Sequence, residues 1–285
     1  MIIASLVFAL MGAAAKLVGD DYTSIQIVFY RGLFASSFIF FTVVGGKKLK
    51  NKGGRFWLLM FRGLVGTLAL YALFYNIKTI GLALSITYLQ TAPIFVAVFS
   101  WLFLKETIKW QGWLAILIGF IGILVIFRPD FDTGIKSNLL GLFNGIAAGA
   151  AYTSVRELRK NYDNRSIVLS FAIWGMLLPI LSMLLGEMGI LTSLDFMVSN
   201  FAWPWREHWW ALLAVGIFAL IGQILITKAY RAEKAGLVSA IGYVNIPFSI
   251  LIGYWLGDPF PDLLTFVGIA LIIAGGAIIS LRRNV

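Results

Sequence analysis

The sequence predicts an all-α polytopic membrane protein, with ten transmembrane helices arranged as two inverted five-helix repeats. Three observations predict it. The chain has 285 residues, 60% of them hydrophobic, with a mean hydropathy of +0.90, and a soluble domain of that size needs more charge to cover its surface. Apolar runs long enough to cross a bilayer recur along the chain, with charges gathered between them. One such run, Gly81 to Glu106 with Pro93 near its middle, returns as Ala235 to Asp258 with Pro247. At a constant shift of 154 residues Ser85 falls on Ser239, Pro93 on Pro247, Trp101 on Trp255 and Leu102 on Leu256.

Apolar length places the spans near 2–18, 24–45, 56–77, 81–103, 111–127, 138–155, 166–186, 209–227, 236–256 and 263–281. Span 1 starts without the positive segment that a signal peptide needs, so the small run Ala13-Ala14-Ala15 is not expected to be a cleavage site. Spans 4 and 9 carry the prolines. A mid-span proline donates no N–H and crowds the carbonyl four residues back, here Leu89, which needs another partner in hydrocarbon. The breaks should therefore face protein or a water-filled cavity. Paired interrupted spans in corresponding places are the best sequence pointer to a transport site. Glycines 141, 145 and 149 form overlapping GxxxG units on span 6, and Gly119, Gly122, Gly275 and Gly276 serve close packing of spans 5 and 10. The stretch from Ile190 to Trp205 is expected to lie along the membrane interface as an amphipathic segment with a Trp belt.

The loops predict orientation. One side holds sixteen basic residues, in the 47–55, 105–109, 156–165 and 228–234 segments and at Arg282 and Arg283; the other holds Lys78, Arg128, Lys136 and Arg206. The bias puts the first side in the cytoplasm, with both termini inside. The formal net charge of +10 is thus a topology signal and not a nucleic-acid surface. Five spans per repeat is an odd number, so the second copy enters the bilayer inverted. The expected units are residues 1–128 and 138–285.

These pieces resemble a known family. Lys16 late in span 1, Tyr30-Arg31-Gly32 in span 2, Phe61-Arg62-Gly63 in span 3, the block from Ala83 with Pro93 to Leu104-Lys105-Glu106, then Trp110 and Gly119 to Gly122, are similar to the drug/metabolite transporter superfamily, EamA type. The resemblance implies ten helices and small-molecule transport across the cytoplasmic (inner) membrane, with a central cavity lined mainly by spans 3, 4, 8 and 9. Its members carry amino acids, nucleotide-derived metabolites, organic acids and drugs. The second half departs from the pattern: Gly257-Asp258-Pro259 stands where Lys105-Glu106 stands in the first. Glu106 is therefore read as an inner-loop structural charge.

Three charges lie inside spans, where Arg or Lys costs about 2.5–3.5 kcal/mol at a helix centre. Lys16 either snorkels to the outer interface or serves as gate or counter-charge. Arg31 lies too deep to snorkel and must meet a carbonyl, a carboxylate or a ligand. Arg62, at similar depth from the other side, either anchors span 3 to headgroups or acts as gate or counter-charge. No Asp or Glu lies inside any span. A carrier of lipophilic cations needs a buried carboxylate as counter-charge, so anionic, zwitterionic or neutral polar substrates fit better; drug efflux by the same fold is the alternative. Polar side chains at mid-depth complete the candidate substrate site. Tyr71 and Tyr75 share a stripe with Thr67 on span 3. Tyr88 and Thr91 are on span 4, Asn144 on span 6 and Trp174 on span 7. Gln223 stripes span 8 with Thr227, and Tyr243 and Asn245 are on span 9. Pro93 and Pro247 are the expected hinges.

Other classes lack parts. There is no cysteine and a single histidine, His208, and no HExxH or GxSxG sequence, so an enzyme has neither nucleophile nor metal site. No cofactor and no metal are expected. A channel would want a ring of filter groups, and an ATP-driven pump would want a P-loop. The expected partners are a small-molecule substrate and the lipid bilayer, with the chain a monomer or weak homodimer.

Overall fold

The computed structural model describes residues 1–18, 22–44, 49, 51–80, 82–127, 134–190, 194, 196–203, 208–257 and 261–281. The helices are α1 (Ile2–Val18), α2 (Ser24–Val44), α3 (Phe56–Ile80), α4 (Leu82–Leu89), α5 (Ala92–Leu104), α6 (Trp110–Phe127), α7 (Ile135–Leu158), α8 (Asn164–Glu187), α9 (Trp209–Ala232), α10 (Ala235–Ile241), α11 (Asn245–Trp255) and α12 (Leu263–Leu281). No strand occurs among the described residues. Six stretches are long and apolar enough to cross a membrane: 24–41, 56–77, 85–104, 164–187, 209–232 and 235–255. Shorter apolar helices cover 2–15, 110–126 and 263–275. The expected sixth span, α7, is long enough, but its Gly, Ala, Ser and Asn make it less apolar than the rest. Large hydrophobics on the outside, among them Trp101, Phe103, Leu181, Trp255 and Ile273, form the surface that lipid would wet.

Both proline spans break. Helix α4 ends at Leu89, Gln90 and Thr91 make a turn, and Pro93 stands in the first turn of α5. A first-turn N–H has no intrahelical acceptor, so the missing donor costs nothing there. Likewise α10 gives way to a 3-10 turn, Gly242–Val244, and Pro247 enters in the first turn of α11. Both prolines are buried. A third proline, Pro179, lies inside α8.

Packing pairs the helices in a fixed order. Helix α3 packs on α7 and α8, while α9 packs on α1 and α2. Helix α5 lies on α7, and α11 on α1; α2 meets α8, α5 meets α10 and α6 meets α12. Close approach needs glycine at two of these seams. A Cβ on Gly32 would sit about 2.5 Å from the Gly175 carbonyl carbon, so α2 and α8 touch backbone to backbone. Gly141, Gly145 and Gly149 of α7 receive Tyr88, Thr91 and Phe95; the GxxxG run packs inside the monomer, against the broken span.

Contacts between loops define two faces. On one, Arg156 bonds Glu106, Lys234 reaches the Thr107 carbonyl, Asn161 reaches the Gly53 carbonyl and Arg55 pairs with Glu157; this basic face carries most of the loop Lys and Arg residues. On the other, the described part of the long loop is tied to α2. Thr23 Oγ1 lies 2.9 Å from Ser199 Oγ, Gln26 Nε2 donates to the Asn200 carbonyl, and Tyr30 donates to the Ala202 carbonyl. These bonds fix residues 199–202 against the start of α2. The Asn200 and Ala202 carbonyls find donors on α2, while Phe201 and Trp203 remain exposed.

Candidate functional site

The polar centre forms where α2, α3, α8 and α9 meet. Arg31 enters from α2 and Arg62 from α3, and both are buried. Their guanidinium carbons lie 5.1 and 4.4 Å from the centroid of one ring, Phe171 of α8. Arg62 Nη2 donates to Gln223 Oε1 of α9 at 3.1 Å. The Nε of each arginine is buried without an acceptor. The reading of Arg62 as a headgroup anchor is thereby corrected: its side chain turns inward onto Phe171 and Gln223. Among the described residues no carboxylate or carbonyl bonds Arg31, which leaves the ligand of the three expected partners, and a ring face supplies the contact. Cation–π attraction on a desolvated ring is worth about 2 kcal/mol, less than the penalty for burying two like charges. An anion between them would supply the missing term.

The remaining space at this centre is small. The cavity bounded by Arg31, Gly32, Phe171, Gly175, Leu220 and Gln223 holds about 10 Å³, about the room that a single water needs. Toward the basic face, the rings of Tyr152 and Tyr230 stack at 5.8 Å, one helical turn from Arg156, which donates to the Tyr230 carbonyl at 2.8 Å. Beyond them opens a cleft of about 350 Å³ between Leu104, Glu106, Arg156, Glu157, Arg159, Lys160 and Arg231.

The other sequence candidates are engaged in helix–helix contacts. Tyr71 OH lies 3.0 Å from Ser182 Oγ, joining α3 to α8. Tyr75 packs on Phe196, with Lys136 Nζ 4.9 Å from its ring centroid. Tyr88 donates to Asn138 Oδ1 at 2.8 Å, and Thr91 donates to the Tyr88 carbonyl within the break. Asn144 donates to the Ala69 carbonyl at 2.7 Å while its Oδ1 is buried without a donor. Trp174 lies against Gly63. Tyr243 lies against Gly119, its hydroxyl buried and unbonded. Asn245 donates to the Ser5 carbonyl of α1 at 2.7 Å. The side chain of Lys16 lies outside the described residues, as do Arg128, Arg206, Arg282 and Arg283.

Sequence reasoning missed Phe171 and the Tyr152–Tyr230 stack as parts of the centre. Tyr230 carried a signal, since it follows Gln223 by seven residues on one face of α9. Phe171 carried none, being one phenylalanine among 23.

Comparison with known proteins gives four findings. The model of the EamA-like transporter family matches residues 1–128. An uncharacterized transporter of Helicobacter pylori (strain J99) is 34% identical over 285 residues, covering 99% of this chain and 93% of the relative. The pseudopaline exporter CntI of Pseudomonas aeruginosa (strain UCBPP-PA14) is 29% identical, covering 99% and 94%. A crystal structure aligns at a TM-score of 0.80 with 18% identity, covering 98% of this chain and 95% of that one, which shows a shared fold.

Proposed function

Because the chain belongs to the EamA-like transporter family of the drug/metabolite transporter superfamily, we propose that it carries a small anionic metabolite through the centre formed by Arg31, Phe171, Arg62 and Gln223. It is a multi-pass membrane transporter of small molecules and not an enzyme. One observation carries the substrate class: two buried guanidiniums share one ring, and no carboxylate bonds either of them among the described residues. A cationic drug would meet two like charges there, whereas a carboxylate or phosphate would meet planar, bidentate donors.

The cycle we propose is alternating access by two inverted repeats, residues 1–128 and 138–285, in ten spans. The packing order supports it. Exchanging the first six helices for the last six turns the α3–α7 contact into α9–α1, α3–α8 into α9–α2 and α5–α7 into α11–α1, while α2–α8 and α6–α12 map onto themselves. The two proline breaks then occupy equivalent places and serve as hinges. The excess of Lys and Arg in the loops of the basic face supports a cytoplasmic position for that face and for both termini. Outward movement is our reading, supported by the 29%-identical exporter and by the cleft on the basic face.

Proteoliposome counterflow tests this. A panel of labelled solutes of negative, zero and positive charge is exchanged across the vesicle wall. Saturable exchange should be confined to anions and be lost in Arg31→Gln at equal reconstitution. Saturable exchange of a lipophilic cation, kept in Arg31→Gln, would overturn the reading.

A further inference from the structure

The cleft on the basic face has a charge pattern that its own ion pairs do not explain. Four of its seven lining residues are cations and two are anions. Both anions are engaged. Glu106 Oε1 accepts from Arg156 Nε at 2.9 Å, and its Oε2 accepts the Ala235 N–H at 3.0 Å. Glu157 pairs with Lys160 at 2.6 Å and with Arg55 at 3.2 Å. Arg159, at the end of α7, and Arg231, in the last turn of α9, are left. No described carboxylate lies within ion-pair distance of Arg231 in the cleft, and the Arg159 Nε is buried with no acceptor. Burial and then the neighbouring Arg231 charge push the Arg159 guanidinium below its ordinary value, against the opposing pull of Asp163. Two cations from opposite halves of the chain thus face a space of about 350 Å³, and one of them has a buried donor with no acceptor among the described residues.

We infer that this cleft is an anion-binding site, held by Arg159 and Arg231, for a phosphate or carboxylate group arriving at the basic face. A dianionic oxyanion would offset the repulsion between the two guanidiniums, and Arg suits it because its fork matches both groups. The volume accommodates a small metabolite's charged end or the headgroup of an acidic lipid, which share this chemistry. The site lies apart from the Arg31–Arg62 centre, separated by the Tyr152–Tyr230 stack, so it is tested by binding and not by flux.

The experiment measures thermal unfolding of the full chain at constant ionic strength set with chloride. Purified protein in neutral detergent is titrated with inorganic phosphate. In parallel, nanodiscs of phosphatidylcholine alone are compared with nanodiscs containing phosphatidylglycerol. At a hundredfold excess over the dissociation constant, a bound anion should raise Tm by about 5 °C. A rise with phosphate that is absent in Arg159→Gln supports a soluble anion as the occupant. A rise only with phosphatidylglycerol, again absent in Arg159→Gln, supports a lipid headgroup. Should Arg159→Gln not fold, Arg231→Glu takes its place. It puts a carboxylate beside Arg159, so Tm without ligand should rise and the response to either anion should vanish. No response from wild type in either arm, or an equal response in the variants, overturns the inference.

Discussion

Arg31 and Arg62 come from helices of opposite direction and meet on one ring, at 5.1 and 4.4 Å from the Phe171 centroid. The ring holds apart two charges that would otherwise repel across a site of about 10 Å³. Phe171→Leu keeps the volume nearly constant, so the fold should survive, but two contacts of about 2 kcal/mol each disappear. The expected result is a rise in KM for the anion of about tenfold, with normal surface expression. An unchanged KM would show that the ring does not position the arginines.

Gln223 is the one neutral acceptor for Arg62, at 3.1 Å, among the described residues. Gln223→Glu is nearly isosteric and replaces that acceptor with a charge. Arg62 then pairs internally and one guanidinium is withdrawn from the substrate. A hydrogen bond to a charged group contributes about 1.5–3 kcal/mol, so anion exchange should fall by about tenfold or more while Tm rises. Faster exchange in Gln223→Glu would contradict an anionic substrate.

How much of this was legible in the chain follows from what periodicity encodes. Span positions, the repeat and the two prolines announce themselves through length and apolar pattern. The two arginines stood out because charge inside hydrocarbon is rare. Their meeting did not, because it depends on two long side chains bending toward each other from helices placed at different depths. Tyr71, Tyr88, Asn144 and Asn245 look the same in sequence whether they face a solute or a neighbouring helix; the structure gives each a protein partner. The Pro93 break was expected as a bend, and Thr91 with its bond to the Tyr88 carbonyl turns it into a separate helix start.

The α2–α8 seam should be intolerant of any side chain at Gly32. A Cβ there would meet the Gly175 backbone at about 2.5 Å, and backbone cannot rotate aside. Gly32→Ala should destabilise by about 1–3 kcal/mol through overpacking, read as a lower Tm and lower yield in detergent. Gly12→Ala is the control, since nothing lies within 4 Å of its Cβ position.

Asp163 caps α8 by accepting the Arg165 N–H at 3.0 Å. Burial alone would raise its pKa, but the hydrogen bonds from Arg165 and the charges of Arg165 and Arg159 outweigh it, and the carboxyl is held below the usual value. A depressed folded pKa gives stability that is present above the unfolded value and lost as pH falls through the folded one. Asp163→Ala should therefore lose about 1 kcal/mol at neutral pH, with the gap to wild type closing below about pH 4. A gap that does not narrow at all as pH falls from neutral to the acid limit of the fold would mean the cap acts by shape and not by charge.

Glu106 ties three helices at the mouth of the basic-face cleft. It accepts from Arg156 of α7 and from the first N–H of α10, directly after its own helix α5 ends, and Arg156 in turn holds the Tyr230 and Arg231 carbonyls of α9. The second half offers no equivalent acid. Glu106→Gln keeps the shape but removes the charge that makes this knot strong, so α9 and α10 should part from α5 and α7 more often. The chain has no native cysteine, which allows one probe thiol. Thr227→Cys places it on α9, at a buried position beyond the Tyr152–Tyr230 stack. A membrane-impermeant maleimide applied from the basic face should label it several-fold faster in the Glu106→Gln background. Equal rates in both backgrounds would mean that the knot fastens loops without controlling entry.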